Sequence, residues 1–380
     1  MKKGWQTKSL GDICVVDWGN TDLTKSSYVE GGDYLAVSAA GCDGRIGHKE
    51  HEKHTPVLSA IGAQCGRMFM PDEDFTAIKN TITLTPRLDL CTGRFLFQLL
   101  SHVELPKRGA AQPFISKGDI QSFQVPVPPL DEQRRIIGLL DEAFAGIATA
   151  KTYAEKNLQN ARELFESHLN AIFTQRGSDW KATTLGAEID LLAGFAFKSA
   201  QYTNYDNDIR LLRGDNIIQG CLRWDDVKRW PVGDTEEYER YQLEEGDVVL
   251  AMDRPWVKAG LKHATITAED LPCLLVQRTA RLRGGANLDN RFVKLLIGSS
   301  AFTSHILGVQ TGIGVPHISG QQIKDFEFAR PPIADQLRIA DNLESLREES
   351  QRLARLYERK LAALDELKKS LLHQAFSGQL

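Results

Sequence analysis

Residues 112–136 read QPFISKGDIQSFQVPVPPLDEQRRI, and residues 315–339 read VPHISGQQIKDFEFARPPIADQLRI. Both segments carry the pattern I-S-x3-I-x2-F-x4-P-P-[LI]-x2-Q-x-R-I at an offset of 203 residues. The same offset holds to the end of each half, where Phe173 corresponds to Phe376. Self-similarity at a fixed offset is the signature of a repeated structural unit, so the chain is predicted to be a duplication.

Weaker matches precede this segment in each half. WQTKSLG at residues 5–11 corresponds to WKATTLG at 180–186, an offset of 175, and IKNTITL at 78–84 corresponds to VQRTARL at 276–282, an offset of 198. Because the offset rises from 175 to 203, the second copy carries 28 extra residues, all of them in its front part.

A long helical period follows each proline pair. Apolar residues recur there at alternating spacings of four and three, which is typical of a coiled-coil seam. The seam positions are Ile137, Leu140, Phe144, Ile147, Leu158 and Phe165 in the first copy and Leu343, Leu346, Leu353, Tyr357, Leu364 and Leu371 in the second. We predict spacer helices at 131–176 and 334–380, each roughly 60–67 Å long at 1.5 Å per residue.

The chain connections favour antiparallel pairing of the two helices. The first helix ends where the second front part begins, and the second helix starts where that front part ends. Parallel pairing would require the second front part to bridge roughly 60 Å. We therefore predict an antiparallel pair with one globular front at each end and pseudo-twofold symmetry.

The front parts, residues 1–130 and 177–333, contain short strand-like runs separated by glycine-rich loops. Short helical segments, such as GRFLFQLLSH at 93–102, lie between the strands and the spacer helix. The predicted fold class is α+β, with two mixed domains built on curved sheets and separated by the helix pair.

Composition describes an ordinary globular chain of 380 residues, 42% hydrophobic and 25% charged, with a net charge of −4. We expect a cytoplasmic protein without a membrane partner, because no apolar run approaches ~20 residues and the six cysteines form no C-x-x-C pair. The slight acidity means that nucleic-acid binding would need local patches or a complex. One basic stretch, residues 254–294, carries eight cations against three acids.

Motifs for catalysis and cofactors do not occur in the sequence. It lacks G-x4-G-K-[ST], G-x-S-x-G and the N-P-P-[YF] of amino-methyltransferases. The histidines of HKEHEKH at 48–54 do not follow a zinc-protease spacing and are interpreted as a solvated loop. We therefore predict a binding protein with no catalytic residues, no metal and no cofactor of its own.

The two tandem copies, the repeated boundary pattern and the helix after each copy resemble the specificity subunit of a Type I restriction–modification enzyme. This resemblance implies that each front is a target-recognition domain that reads one half of a bipartite, asymmetric DNA sequence. It implies that the helix pair sets the gap and docks two modification (methyltransferase) subunits, which methylate adenine with S-adenosylmethionine. Restriction (motor–nuclease) subunits would use ATP and Mg²⁺, and this chain would carry out none of these reactions.

Candidate DNA-contacting residues lie in or beside the glycine-bounded loops and have side chains able to hold phosphates or read bases. They are Gln64, Arg67, Lys79, Asn80, Arg108 and Gln112 in the first copy and Arg213, Asn216, Arg254, Trp256, Lys258, Gln310 and His317 in the second. Two alternatives remain open. One is a cytoplasmic coiled-coil scaffold with two protein-binding heads and no DNA binding, and the other is a fused methyltransferase or nuclease.

Overall fold

A helix of 45 residues follows each proline pair, Leu130–Thr174 in the first copy and Ile333–Ser377 in the second. Each begins one residue before its predicted start. The structure, a computed structural model, describes residues 4–174, 177–234, 236–312 and 314–380, so the predicted helix residues Gln175 and Arg176 lie outside the described residues.

The chain folds as two units, each combining one front with a part of both long helices. Unit 1 consists of Met1–Lys156 and Glu358–Leu380, and unit 2 consists of Asn157–Tyr357. The strands in unit 1 are β1 (Gln6–Ser9), β2 (Cys14–Trp18), β3 (Tyr34–Ser38), β4 (Gly41–Ile46), β5 (Val57–Ser59), β6 (Met68–Phe69), β7 (Phe75–Ala77), β8 (Thr81–Pro86) and β9 (Gln124–Val127). Its helices are α1 (Leu10–Ile13), α2 (Gly93–His102), α3 (Lys117–Ser122) and the first part of α4 (Leu130–Thr174).

Unit 2 repeats this order with additions. Its strands are β10 (Lys181–Thr184), β11 (Ile189–Ala193), β12 (Ile209–Leu212), β13 (Lys228–Trp230), β14 (Val248–Ala251), β15 (Trp256–Val257), β16 (Gly260–Leu261), β17 (His263–Thr265), β18 (Cys273–Leu275), β19 (Thr279–Gly284) and β20 (Glu327–Arg330). Its helices are α5 (Leu185–Glu188), α6 (Asn290–Ile297), α7 (Ser300–Val309), α8 (Gly320–Lys324) and the first part of α9 (Ile333–Ser377).

The sheets have the same strand order in both units. A four-stranded antiparallel sheet runs β2-β8-β5-β6 in unit 1 and β11-β19-β14-β17 in unit 2. A three-stranded sheet with one parallel pairing runs β4-β3-β7 and β13-β12-β18, and a two-stranded ribbon joins β1 to β9 and β10 to β20. The α+β fold class is therefore confirmed, and unit 2 adds the hairpin β15–β16.

The repeated boundary pattern has a physical explanation in both units. Its serine caps a short helix: the Ser116 hydroxyl accepts a hydrogen bond from the Asp119 N–H at 3.1 Å, and the Ser319 hydroxyl accepts one from the Gln322 N–H at 3.2 Å. The three isoleucines that both copies share are buried in the cores, namely Ile115, Ile120 and Ile136 in unit 1 and Ile318, Ile323 and Ile339 in unit 2. The proline pair follows β9 or β20 because proline lacks the N–H that a sheet needs but is tolerated in the first turn of a helix.

The glutamine of the pattern is fully buried and ties each long helix to its front. The Gln133 carboxamide accepts from the Thr92 N–H at 2.9 Å and donates to the carbonyl oxygens of Leu90 and Pro128 at 2.8 and 2.9 Å. Thr92 is the N-cap of α2.

Gln336 makes the equivalent bonds in unit 2. It accepts from the Asp289 N–H at 2.9 Å and donates to the carbonyl oxygens of Asn287 and Pro331 at 2.9 and 2.8 Å. Asp289 is the N-cap of α6. These hydrogen bonds hold the start of each long helix against the helix that flanks its own four-stranded sheet.

Within each unit the long helices pack antiparallel. In unit 1, Lys368 lies 4.9 Å from the Phe144 ring and Lys151 pairs with Asp365, so residue numbers rise along α4 as they fall along α9. In unit 2, Arg347 near the start of α9 lies 4.5 Å from the ring of Phe165 near the end of α4.

The predicted seam residues point away from solvent. Five are buried and seven are half-buried. Seven of the twelve join the cores of their own units, namely Ile137, Leu140, Phe144, Phe165, Leu343, Leu346 and Leu371. The buried ones are Ile137, Leu140, Ile147, Phe165 and Leu343, and the half-buried ones are Phe144, Leu158, Leu346, Leu353, Tyr357, Leu364 and Leu371.

No single helix in the described residues is long and apolar enough to cross a membrane; the bent pair α6 and α7 meets the length and composition criteria only when taken together. The six cysteines, all within the described residues, are free thiols.

Candidate nucleic-acid interface

Three loops of unit 2 meet where strands of the four-stranded sheet end. The Met252 N–H, just after β14, donates to the Arg278 carbonyl oxygen at 2.8 Å, and the Met252 carbonyl oxygen accepts from the Ile318 N–H at 2.9 Å. The Arg254 N–H donates to the Pro316 carbonyl oxygen at 2.6 Å. We call residues 252–258, 276–278, 310–312 and 314–318 the loop surface of unit 2.

Unit 1 builds its surface with equivalent hydrogen bonds. The Ala60 N–H donates to the Asn80 carbonyl oxygen at 2.9 Å, and the Ile115 N–H donates to the Ala60 carbonyl oxygen at 2.8 Å. The Gly62 N–H donates to the Pro113 carbonyl oxygen at 3.0 Å. Residues 60–67, 78–80 and 108–115 form the loop surface of unit 1. The same backbone framework therefore carries different side chains in the two units.

The candidate residues of unit 1 all fall on its loop surface. Asn80 is half-buried and the other five are exposed, namely Gln64, Arg67, Lys79, Arg108 and Gln112. Three of them already have side-chain partners. The Arg67 guanidinium donates to the Gln64 side chain at 3.3 Å, and Arg108 pairs with Asp119. Hydrogen bonds from Ser116, and then Arg108, hold the pKa of Asp119 below its usual value.

The candidates of unit 2 are less uniform. Arg254, Trp256 and Lys258 are exposed, and Gln310 and His317 are half-buried, all on the loop surface. Trp256 and Lys258 lie on or beside the β15–β16 hairpin, which has no counterpart among the described strands of unit 1. The unit therefore presents an exposed aromatic ring beside two cations.

Arg213 and Asn216 lie in the loop after β12. Arg213 is half-buried and paired with Asp226 at 2.9 Å. Asn216 is 2% exposed, and its carboxamide accepts from the Arg213 N–H at 3.1 Å and donates to the Arg223 carbonyl oxygen at 3.0 Å. These bonds use Asn216 to shape its own loop, so the structure removes it from the candidate readers.

The basic stretch 254–294 does not form one face. Arg281 pairs with Asp190, Arg283 with Asp247, and Arg291 with Asp341, all within unit 2. Burial lowers the pKa of Lys262 and of Lys294, both half-buried. Only Arg254, Lys258 and Arg278 of the eight cations lie on the loop surface.

Arg278 was missed among the sequence candidates, although a signal for it existed. The repeat aligns IKNTITL with VQRTARL, which pairs Asn80, a candidate, with Arg278. The Arg278 side chain is 65% exposed and lies 3.4 Å from the Asp253 carboxylate.

Comparison with known proteins gives this surface a context. Residues 2–157 match the family model of the Type I restriction modification DNA specificity domain. The EcoAI specificity subunit of Escherichia coli is 38% identical over 168 residues, a match that covers 44% of this chain and only 28% of that subunit. The MjaVIII specificity subunit of Methanocaldococcus jannaschii is 22% identical over 84% of this chain and 77% of its own length.

Solved structures share the fold along the whole chain. The HsdS subunit from Thermoanaerobacter tengcongensis superposes with a TM-score of 0.68 at 18% identity, covering 100% of this chain and 98% of that one. A chain from work on complex assembly and conformational transition of the type I R-M system has a TM-score of 0.72 at 16% identity, covering 100% and 99%. The predicted resemblance is thus confirmed: residues 2–157 match the model of the Type I restriction modification DNA specificity domain, and the chain is similar to Type I restriction enzyme specificity subunits.

Proposed function

We propose that the chain is the DNA sequence-recognition subunit of a Type I restriction–modification complex, with each loop surface reading one half of a bipartite, asymmetric target. The observation that carries this proposal is the pair of loop surfaces, which share their hydrogen-bonded backbone and differ in their side chains. A protein that reads two different half-sites needs this combination, because the framework positions the side chains and the side chains choose the bases.

The side chains on the surfaces suit contact with a duplex. Lys79 and Lys258 are exposed cations able to hold phosphates, while Gln64, Gln112 and Arg254 have the donors and acceptors that read base edges. Trp256 is 39% exposed and offers an apolar face beside Arg254 and Lys258. Arg67, Arg108, Gln310 and His317 on the loop surfaces complete the proposed interface, together with Arg213 in the neighbouring loop after β12.

In this proposal the helix pair α4 and α9 sets the number of unread base pairs between the half-sites and docks two modification subunits. The chain itself is non-catalytic. Adenine methylation with S-adenosylmethionine belongs to the modification subunits, and ATP- and Mg²⁺-dependent cleavage belongs to the restriction subunits. The seam supports the spacing role, because its twelve positions carry apolar or aromatic side chains that are buried or half-buried.

A selection from duplexes with about 30 randomised base pairs tests the proposal. The full-length chain, with and without its modification partner, should enrich two different short sequences at a fixed separation. Enrichment of one sequence only, or of none, would contradict reading by two surfaces and would favour a protein scaffold. Methylation or cleavage of the pool by the purified chain alone would contradict the non-catalytic assignment.

The spacing role has its own test. Four residues inserted near Thr152 in α4 and near Arg355 in α9 lengthen each helix by about 6 Å, or roughly two base pairs of DNA. The gap between the half-sites should change while both half-sites persist. An unchanged gap would refute the spacing role without affecting recognition itself.

Phosphate and base contacts are separated by salt dependence. Lys79→Ala should weaken binding to all sequences and reduce the slope of log K against log[salt] by about one. Gln112→Ala, its neighbour on the same loop surface, should relax the preference at one base pair and leave the slope unchanged. Identical behaviour of the two variants would contradict these roles.

A further inference from the structure

One turn of the loop surface has the same unusual backbone in both units. In unit 1 the turn between β7 and β8 holds Asn80 with φ of +71°, and in unit 2 the turn between β18 and β19 holds Arg278 with φ of +67°. This left-handed conformation is routine for glycine, tolerated by asparagine and unfavourable for arginine. In each turn the next residue is a buried threonine whose hydroxyl donates to a carbonyl oxygen three residues earlier at 2.6 Å.

The turn is fixed from two sides. On one side, the backbone N–H of Ala60, just after β5, donates to the carbonyl oxygen of Asn80. In unit 2 the N–H of Met252, just after β14, donates to the carbonyl oxygen of Arg278. On the other side, a glycine packs directly against the backbone of the turn. A Cβ added to Gly19 in unit 1 would lie 2.7 Å from the Ile78 carbonyl oxygen, and a Cβ added to Gly194 in unit 2 would lie 2.1 Å from the Val276 carbonyl oxygen. The backbone of the turn is therefore held in place, which fixes the direction of the Cα–Cβ bond of Asn80 and of Arg278.

The repeat offers an internal comparison at three positions with left-handed backbone. His54 in unit 1 corresponds to Gly246 in unit 2, and Arg254 in unit 2 corresponds to Gly62 in unit 1, so glycine is sufficient at both positions. At the third position both units carry a side chain, Asn80 and Arg278. Both copies thus keep a functional group where the backbone alone would favour glycine.

Folding does not explain the arginine. Its side chain is 65% exposed, and its contact with Asp253, at 3.4 Å, is an exposed pair of the kind that contributes little to stability. Asp253 lies on the same loop surface, two residues from the end of β14. Arg278 therefore presents an exposed guanidinium on the proposed interface.

Asparagine and arginine are the side chains that form paired hydrogen bonds with adenine and guanine, respectively, in the major groove. We propose that Asn80 and Arg278 are the equivalent specificity-determining residues of the two units, with Asn80 reading an adenine in one half-site and Arg278 a guanine in the other. This inference rests on the proposed function and adds to it a position and a base for each unit.

Exchange of the two side chains tests the inference on the randomised duplex pool. Arg278→Asn should replace guanine by adenine at one base pair of one half-site, and Asn80→Arg should replace adenine by guanine at one base pair of the other. Asn80→Gly and Arg278→Gly suit the left-handed turn and should only remove the preference at that base pair. Each glycine variant should reduce discrimination there by about 5- to 150-fold.

The control is Lys181→Ala, which removes an exposed cation from β10 of unit 2. The helix after β10, α5, contacts the end of β19 that is opposite to the turn, through the hydrogen bond from the Gly285 N–H to the Glu188 carbonyl oxygen. Its selected sequence should equal that of the wild type. If the wild-type chain selects a bipartite sequence and all four turn variants select the same one, the inference is overturned while the proposed function stands. A wild-type chain that selects no sequence overturns both. Thermal unfolding of each variant confirms that the turn variants remain folded.

Discussion

The start of each long helix and the loop surface of each unit have diverged to different extents. Gln133 and Gln336 occupy equivalent positions and make the same three kinds of hydrogen bond, down to the N-cap residue that each one contacts. Gly62 and Arg254 also occupy equivalent positions, but they have in common only the hydrogen bond from their backbone N–H to a proline carbonyl oxygen. Where a side chain completes the internal hydrogen bonding of the fold, the copies agree. Where it faces outward from a fixed backbone, they differ.

The largest expected effect comes from breaking the shared part. Gln133→Leu leaves the Thr92 N–H and two carbonyl oxygens without their partner, and Gln336→Leu does the same in unit 2. Each variant should lower the free energy of unfolding by about 2–5 kcal/mol, because each abandoned polar group costs about 1–3 kcal/mol. Urea unfolding followed by circular dichroism measures the change.

Gln351→Leu, on the exposed side of α9, is the matched control and should change stability by no more than about 0.5 kcal/mol. Equal losses in the control and in the two buried variants would show that the hydrogen bonds are not what stabilises the helix starts.

A difference at one equivalent position of the four-stranded sheets gives the second effect. Met68 pairs with Leu58 in unit 1, and His263 occupies the same position opposite Leu250 in unit 2. Burial, with smaller contributions from Arg347 and Lys294, lowers the pKa of His263 to about 4 from an unfolded value of 6.5. The unfolded chain therefore binds more protons between pH 6.5 and pH 4, and stability falls as the pH is lowered through that range.

His263→Met gives unit 2 the residue of unit 1 and should remove this dependence. On going from pH 7 to pH 5, the wild-type chain should lose about 2 kcal/mol more than the variant. Urea unfolding at the two pH values measures both losses. Parallel losses would mean that His263 is not kept neutral by burial.

The smallest effect tests the strained turn. Arg278→Gly should stabilise the protein by up to about 1 kcal/mol, because it removes the Cβ that makes the left-handed backbone unfavourable, at some cost in unfolded-chain entropy. Asn80→Gly should change stability less, because asparagine tolerates this backbone. Differential scanning calorimetry ranks the two, and a larger gain for Asn80→Gly would contradict the strain assigned to Arg278.

The sequence predicted those features that leave a periodic or repeated pattern. The duplication, the two long helices to within one residue at their starts, and the seam from Ile137 to Leu371 all depend on regular spacing. The capping serines Ser116 and Ser319 belong to the same repeated segment.

Features that depend on partners distant along the chain could not be predicted. Arg281 and Arg283 look like part of a basic patch until the fold brings Asp190 and Asp247 to them. Asn216 looks like a reader of bases, but its carboxamide closes its own loop. Arg278 is a different case: the repeat pairs it with Asn80, but only the structure shows that both residues have a left-handed backbone.

The discontinuity of unit 1 has a consequence for how the chain is made. Its core is completed by Ala375 and Phe376, and the Phe376 ring lies 5.6 Å from that of Phe95. Unit 2 is one continuous segment, 157–357, so the ribosome delivers all of it before it delivers residues 358–380. At about 5–20 residues per second, residues 1–156 of unit 1 wait roughly 10–40 s for the end of α9. The unit that is translated first is therefore the one that finishes folding last, and it is the unit that needs protection from aggregation on the way.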